Sequence, residues 1–226
     1  MKLTLVLLLC MLIGQTSYGQ DWANLNRYKD DNLKIGLPKA GENRVVFMGN
    51  SITDAWINHF PTYFSDNGYV DRGISGQTTP QMLVRFRADV IKLKPTVVTI
   101  LAGTNDIAGN TGPSTLEMIA DNIFSMAELA KANRIKVILC SVLPVYDYPW
   151  KPGLNPASKI VTLNEMIKAY ADSHDLYYLD YYSSMVDSRQ GMKKEYSEDG
   201  VHPNKAGYEV MMELCTEAIE QVLADN

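Results

Sequence analysis

From residue 44 onward the chain alternates short apolar runs with longer stretches in which apolar residues recur every three or four positions. Residues 44–48 (RVVFM), 96–102 (TVVTILA), 136–141 (KVILCS) and 177–180 (YYLD) are rich in β-branched and aromatic residues, as parallel strands buried on both faces should be. Residues 69–72 read as a fifth, weaker strand. Thr79 with Pro80 behind it predicts a helix start, and Met82, Phe86 and Val90 then place one face of that helix on the core. Helical patterns also cover residues 114–133, 158–174 and 204–224, the first opened by Ser114 and Glu117 at capping-box spacing. Residues 20–43 are polar and aperiodic. Strand, helix, strand repeated with right-handed crossovers predicts a three-layer doubly wound α/β domain, whose ligands bind beyond the carboxyl ends of the strands.

The first residues stand apart from this pattern. Lys2 precedes an unbroken apolar run at residues 3–13, and polar Gln15, Thr16 and Ser17 then lead to the small residue Gly19. This is the layout of a secretory signal peptide, predicting cleavage after residue 19 and a single domain over residues 20–226. The run is about half the roughly 20 residues that a membrane-spanning helix requires, so no transmembrane segment is expected. Cys10 follows Leu8 and Leu9 instead of small residues, which argues against a lipid-modified cysteine. The processed chain would keep Cys140 and Cys215, either paired in an oxidising compartment or both buried as free thiols.

Composition narrows the function classes. The 226 residues are 46% hydrophobic and 21% charged, as in an ordinary globular protein. With 26 acidic and 21 basic residues, the net charge of -5 offers no footprint for a phosphate backbone, so nucleic acid is not an expected partner. Three scattered histidines and cysteines without CxxC spacing give no expected metal site.

Chemistry is therefore sought where strands end. The first strand runs into Gly49-Asn50-Ser51-Ile52-Thr53, which presents a serine on a turn at a strand's carboxyl end. Taken alone, Ser51 reads first as a helix cap. A serine hydroxyl needs a base, and a histidine oriented by a carboxylate supplies one. Asp199-Gly200-Val201-His202 offers that pair just before the last helix. Acyl transfer also needs donors for a developing oxyanion. Gly73 at the end of the second strand offers a backbone N–H, and Asn105 in Gly103-Thr104-Asn105-Asp106, after the third strand, offers a side-chain amide. Singly these are a turn glycine and an Asx-turn asparagine; together they make a site.

The sequence GNSIT at 49–53, Gly73 in RGISGQTT, GTND at 103–106 and DGVH at 199–202 resembles the four ordered blocks of the SGNH (GDSL-type) hydrolase family, over nearly the whole chain after the leader. The resemblance implies a flavodoxin-like α/β/α sandwich of about five parallel strands. It implies a carboxylic ester hydrolase with Ser51 as nucleophile, His202 as base and then acid, and Asp199 orienting His202. The Ser51 N–H, Gly73 N–H and Asn105 side chain would form the oxyanion hole, and no cofactor is needed. Asn50 departs from the family's aspartate and removes a charge beside the nucleophile, while keeping the hydrogen bonds of the turn. Asp54 and Asp106 are expected as loop or cap carboxylates, and His59 and His174 as surface residues. The same order of serine, aspartate and histidine occurs in α/β-hydrolases, but their elbow is GxSxG, and Thr53 holds its last position here.

Substrate choice is expected in the loops beyond the strand ends. The longest, residues 142–156, holds Tyr146, Tyr148 and Trp150, with Trp56, Tyr181 and Tyr182 as further candidates. Aromatic faces suit sugar rings, and the resemblance extends to family carbohydrate esterases, so the leading expectation is a secreted or periplasmic enzyme that removes acetyl groups from carbohydrate. Packing of the loop by these rings is the competing reading. Two alternatives stand: a lipid esterase of the lysophospholipase or platelet-activating-factor-acetylhydrolase type, and a non-catalytic carbohydrate-binding module on the same fold. Oligomeric state is left open.

Overall fold

A computed structural model describes residues 21–225. The predicted leader over residues 1–19 lies outside them. Five parallel strands, β1 (Val45–Gly49), β2 (Tyr69–Gly73), β3 (Val97–Leu101), β4 (Lys136–Cys140) and β5 (Tyr177–Leu179), form one sheet in the order β2-β1-β3-β4-β5. This is the flavodoxin-like order, with its reversal between β1 and β3.

β1 to β4 are buried on both faces, β5 at the edge only partly so, and alternate residues serve two separate cores. Val46, Met48, Val98, Ile100, Val137 and Leu139 face one side. There they meet α4 (Thr79–Asp89), α6 (Leu116–Ala132) and α7 (Pro156–Ser173) through Met82, Phe86, Ile119, Ile123, Ile160 and Ile167. Val45, Phe47, Val97, Leu101, Ile138 and Cys140 face the other side. They meet α2 (Ser51–His59), α3 (Pro61–Asn67), the short α8 (Tyr181–Met185) and the last helix α9 (Lys205–Ala224) through Trp56, Phe64, Tyr181, Tyr208 and Cys215. The result is a three-layer α/β/α sandwich. Cys140 and Cys215 are both buried free thiols.

The strands fall within a residue or two of their sequence-based positions, while helix starts move. Thr78, not Thr79, caps α4 in a capping box with Gln81, which frees the Thr79 N–H and hydroxyl for Asp106. Thr115, not Ser114, caps α6 by accepting the Met118 N–H at 3.3 Å. The aperiodic stretch before β1 contains a helix, α1 (Lys29–Ile35), which buries none of its residues. Polar anchors hold this stretch instead of an apolar stripe: the Tyr28 hydroxyl donates to the Gly73 carbonyl, and Asn32 donates to Asp89 at 2.8 Å. Among the described residues no helix is long and apolar enough to cross a membrane.

Candidate active site

β1 ends at Gly49, and the chain turns directly into α2 with Ser51 as its first residue. The cap is Asn50, buried, whose Oδ1 accepts the Ile52 N–H at 3.2 Å. A neutral amide thus makes the turn's hydrogen bond, and Ser51 is left with its hydroxyl uncommitted to capping.

That hydroxyl meets a relay from the other end of the chain. Ser51 Oγ lies 2.9 Å from His202 Nε2, and His202 Nδ1 lies 2.7 Å from Asp199 Oδ2. The second carboxylate oxygen of Asp199 accepts the N–H groups of Val201 and His202, each at 2.8 Å. Partial burial works against ionisation of Asp199, but the hydrogen bonds from the His202 ring and these two N–H groups outweigh it and hold the carboxyl at about 2. An ionised carboxylate can only accept, so His202 Nδ1 carries the proton and Nε2 presents its lone pair to the serine. Ser197, buried and not singled out by the sequence pattern, supports the loop: its oxygen accepts the Gly200 N–H at 2.9 Å and lies 2.7 Å from the His202 carbonyl.

The proposed oxyanion donors divide. Asn105 is buried on the short helix α5 (Thr104–Ile107) after β3, and its amide donates to the Gln77 carbonyl at 2.9 Å, which fixes its plane and leaves a second N–H. Gly73 does not fit its assigned part. Its N–H is committed to the Asp71 carboxylate at 2.6 Å, and its missing side chain is explained by packing, since a Cβ there would fall 2.1 Å from the Asp54 nitrogen. Three residues on, Gly76 is exposed with φ at 78°, a left-handed turn that favours glycine, and its N–H has no partner among the described residues.

Three of the six candidate substrate-binding rings are corrected by burial. Trp56 is 1% exposed and packs among Phe47, Tyr63 and Tyr208 in the core. Tyr148 is 0% exposed, with its hydroxyl 2.9 Å from Thr104 Oγ1 and 2.8 Å from the Thr104 carbonyl, so it anchors the long loop to the helix that carries Asn105. Tyr181 is buried as well. Trp150 is 45% exposed with its ring centroid 6.0 Å from that of His202, and Tyr146 is exposed beneath the Arg189 guanidinium. Tyr182 is half-buried.

The remaining candidates have structural partners. Asp54 accepts the Ser75 hydroxyl at 2.6 Å, and Asp106 accepts the Thr79 N–H and hydroxyl, a helix-capping role across two loops. Burial pushes the Asp106 carboxyl up to about 6 against the pull of those bonds. His59 and His174 are exposed. Arg85 was missed, although it and Asp89 fall on the same stripe as Met82 and Phe86, where a charged pair is out of place. A cavity of about 510 Å³ opens at the starts of β4 and β5, the end of the sheet away from Ser51, where α/β sheets do not carry their chemistry.

Comparison with known proteins adds lineage to this geometry. The family described as GDSL-like lipase/acylhydrolase matches residues 47–210. A solved structure described as an acylhydrolase, from Bacteroides fragilis, superposes with a TM-score of 0.89 at 51% identity, covering 90% of this chain and 99% of that one. A GDSL-like lipase from Bacteroides thetaiotaomicron does so with a TM-score of 0.86 at 49% identity, covering 88% and 98%. An acetylxylan esterase from Xylanibacter ruminicola is 27% identical over 224 residues, and the match covers 82% of this chain but 45% of that protein.

Proposed function

The chain belongs to the GDSL-like lipase/acylhydrolase family and is a carboxylic ester hydrolase, and on that premise we propose that Ser51, His202 and Asp199 remove acetyl groups from carbohydrate through an acyl-serine intermediate. The observation that carries the reading is the relay of 2.9 Å and 2.7 Å with an exposed Trp150 ring set against its histidine. A flat aromatic face beside the base offers a sugar ring a stacking surface while the acetyl carbonyl reaches Ser51. The similarity to an acetylxylan esterase supports the same substrate class.

His202 Nε2 takes the proton as Ser51 Oγ attacks the ester carbonyl. The negative charge that moves onto the carbonyl oxygen is met by the Ser51 N–H, the free N–H of Asn105 and the Gly76 N–H. Gly76 replaces Gly73 in this reading because its carbonyl is held by Asn110 at 3.1 Å and the next residue, Gln77, binds Asn105, so its turn lies against the amide donor. The imidazolium, stabilised by ionised Asp199, then protonates the leaving alcohol. Water enters, gives its proton to His202 and attacks the acyl carbon; the tetrahedral species collapses, Ser51 regains the proton and acetate leaves. Removing the nucleophile of such a unit typically costs about 10³-fold or more in turnover. Residues 1–19 act as a leader in this reading, which delivers a domain from residue 20 outside the cytoplasm.

The test is acetate release from an acetylated xylo-oligosaccharide, beside nitrophenyl esters from acetyl to octanoyl. We expect release from the oligosaccharide, at least about a tenfold preference for acetyl over octanoyl, and loss of both activities in Ser51→Ala. Trp150→Ala should raise KM on the oligosaccharide several-fold and leave nitrophenyl acetate nearly unchanged. Preference for octanoyl or for a lysophospholipid, with no release from the sugar, would overturn the substrate in favour of a lipid ester.

A further inference from the structure

Beneath the catalytic rim lies a buried cation that the reaction scheme does not use. Arg85 is 0% exposed, and its guanidinium forks among four partners. Nη2 donates to the Gly49 carbonyl at 2.9 Å and to the Arg72 carbonyl at 2.8 Å, Nε donates to Gln77 Oε1 at 2.5 Å, and Nη1 pairs with Asp89 at 3.0 Å. Gly49 is the last residue of β1, two before Ser51. Arg72 is next to last in β2, at the start of the loop that contains Gly76. Gln77 is itself buried, and its carbonyl accepts the Asn105 amide.

We propose that Arg85 is a positioning residue for ester hydrolysis: one guanidinium sets the nucleophile turn through Gly49, the oxyanion loop through Arg72 and Gln77, and the Asn105 amide through Gln77. The inference rests on acyl transfer at Ser51 and not on the sugar. Three loops from three strand ends must agree to within a fraction of an ångström for the oxyanion to be held, and beyond the sheet the backbone ties the first two through the Ile74 N–H, which donates to the same Gly49 carbonyl at 3.2 Å. A planar fork with several donors reaches two of them directly from below and the third through Gln77, which a lysine ammonium cannot do from one point. Stability alone is a poor reason for the residue. Taking a charged pair out of water is costly, and apolar side chains of similar size commonly replace such pairs without loss. An aliphatic residue at position 85 would fill the interface between α4 and the sheet but would bind no carbonyl.

The experiment is Arg85→Lys in the full chain, assayed on nitrophenyl acetate with turnover scaled to the fraction of enzyme whose serine reacts with a fluorophosphonate. Expected are a kcat lower by about tenfold or more per titrated site and a KM within about threefold of wild type, as for lost transition-state positioning. A residue that only stabilised the fold would lower Tm and leave kcat per titrated site unchanged, and that result overturns the proposal. Should Arg85→Lys not fold, Gln77→Met removes the bond from Arg85 to the Gln77 side chain, together with the Gln77 Nε2 bond to the Ala23 carbonyl, and leaves the backbone carbonyl that holds Asn105 uncoupled from Arg85. Its kcat loss should be less than additive with that of Asn105→Ala, and fully additive losses overturn the relay. Ser51→Ala run alongside separates the two claims. A fully active Ser51→Ala would sink the nucleophile and this inference together, whereas an inactive Ser51→Ala beside a fully active Arg85→Lys removes only the role of Arg85.

Discussion

One face of the sheet is packed with rings and the other mostly with branched aliphatics. Beneath α2 and α9, Phe47 meets Trp56 edge-on at 5.6 Å, Trp56 stacks on Tyr208 at 5.6 Å, and Tyr63 and Phe64 close the group. Beneath α4, α6 and α7 the buried contacts are mostly Val, Ile, Leu, Met and Ala, with Phe86 and Tyr148 among them and Phe124 stacked on Tyr170 at the partly buried edge. The proposed nucleophile and base both stand on the ring face: Ser51 opens α2, and His202 precedes α9. Rings pack with preferred angles and carry a hydroxyl, so they orient as well as fill. The Tyr208 hydroxyl donates to the Ile52 carbonyl at 2.8 Å and so ties the serine's helix to the helix that follows the histidine. Aliphatic packing sets volume and distance but little direction. On that face orientation is left to buried polar groups, namely Arg85 near the site and Asn164, which holds both the N–H and the carbonyl of Val142.

The comparison can be broken by truncating one residue on each face. Trp56→Ala should cost about 3–5 kcal/mol and Ile167→Ala about 2–5 kcal/mol in denaturant melts. Only Trp56→Ala should also lower kcat per folded molecule, because its ring holds the helix that carries Ser51; equal effects on kcat would erase the distinction between the faces.

A smaller effect sharpens it through charge. Asp71 is a carboxylate on the ring face, sharing the side of β2 that Tyr69 uses, with Oδ2 unpartnered. Burial pushes it up to about 7, with Asp54 adding to the rise and the Gly73 N–H opposing it. Its folded value stands above the ordinary carboxylate value near 3.9, so the folded state holds the proton longer and stability falls as pH rises from about 4 to about 7. Asp71→Asn does not titrate and still offers an oxygen to Gly73. Its Tm should gain on wild type across that window and match it near pH 4. A constant difference at all pH values would show that Asp71 does not titrate there.

The smallest expected effect is Tyr208→Phe, which keeps the ring and removes the tie to Ile52. It should cost about 1–2 kcal/mol, with a modest fall in kcat. Unchanged stability and kcat would show that the rings orient α2 without the hydroxyl.

Much of this architecture was legible in the chain because its signals are local. Runs such as VVFM and VVTIL declare strands buried on both sides, and each of the blocks at Ser51, Asn105 and Asp199/His202 carries its chemistry within four or five residues. What escaped was signalled by partners distant in sequence. Helix α1 has no apolar stripe and exists through contacts with β2 and α4. Gly73 and Gly76 look alike as letters, and only the Asp71 carboxylate and the backbone of α2 separate the packed glycine from the exposed one. Trp56 and Tyr148 read as sugar platforms by type, yet their neighbours bury them, while Trp150, two residues beyond Tyr148, is left open beside His202.

The sequence by itself determined the three-layer class and the strand positions and marked Ser51, His202 and Asp199 as the candidates that the fold brings together, since periodicity and short motifs are properties of neighbouring residues. Tertiary structure alone decided which glycine N–H is engaged and which is left free, which rings are exposed and which cation lies buried beneath the strand ends. Those depend on how three strand ends and two helical layers meet, and burial and hydrogen-bond partners across many residues exist only once the chain has closed on itself.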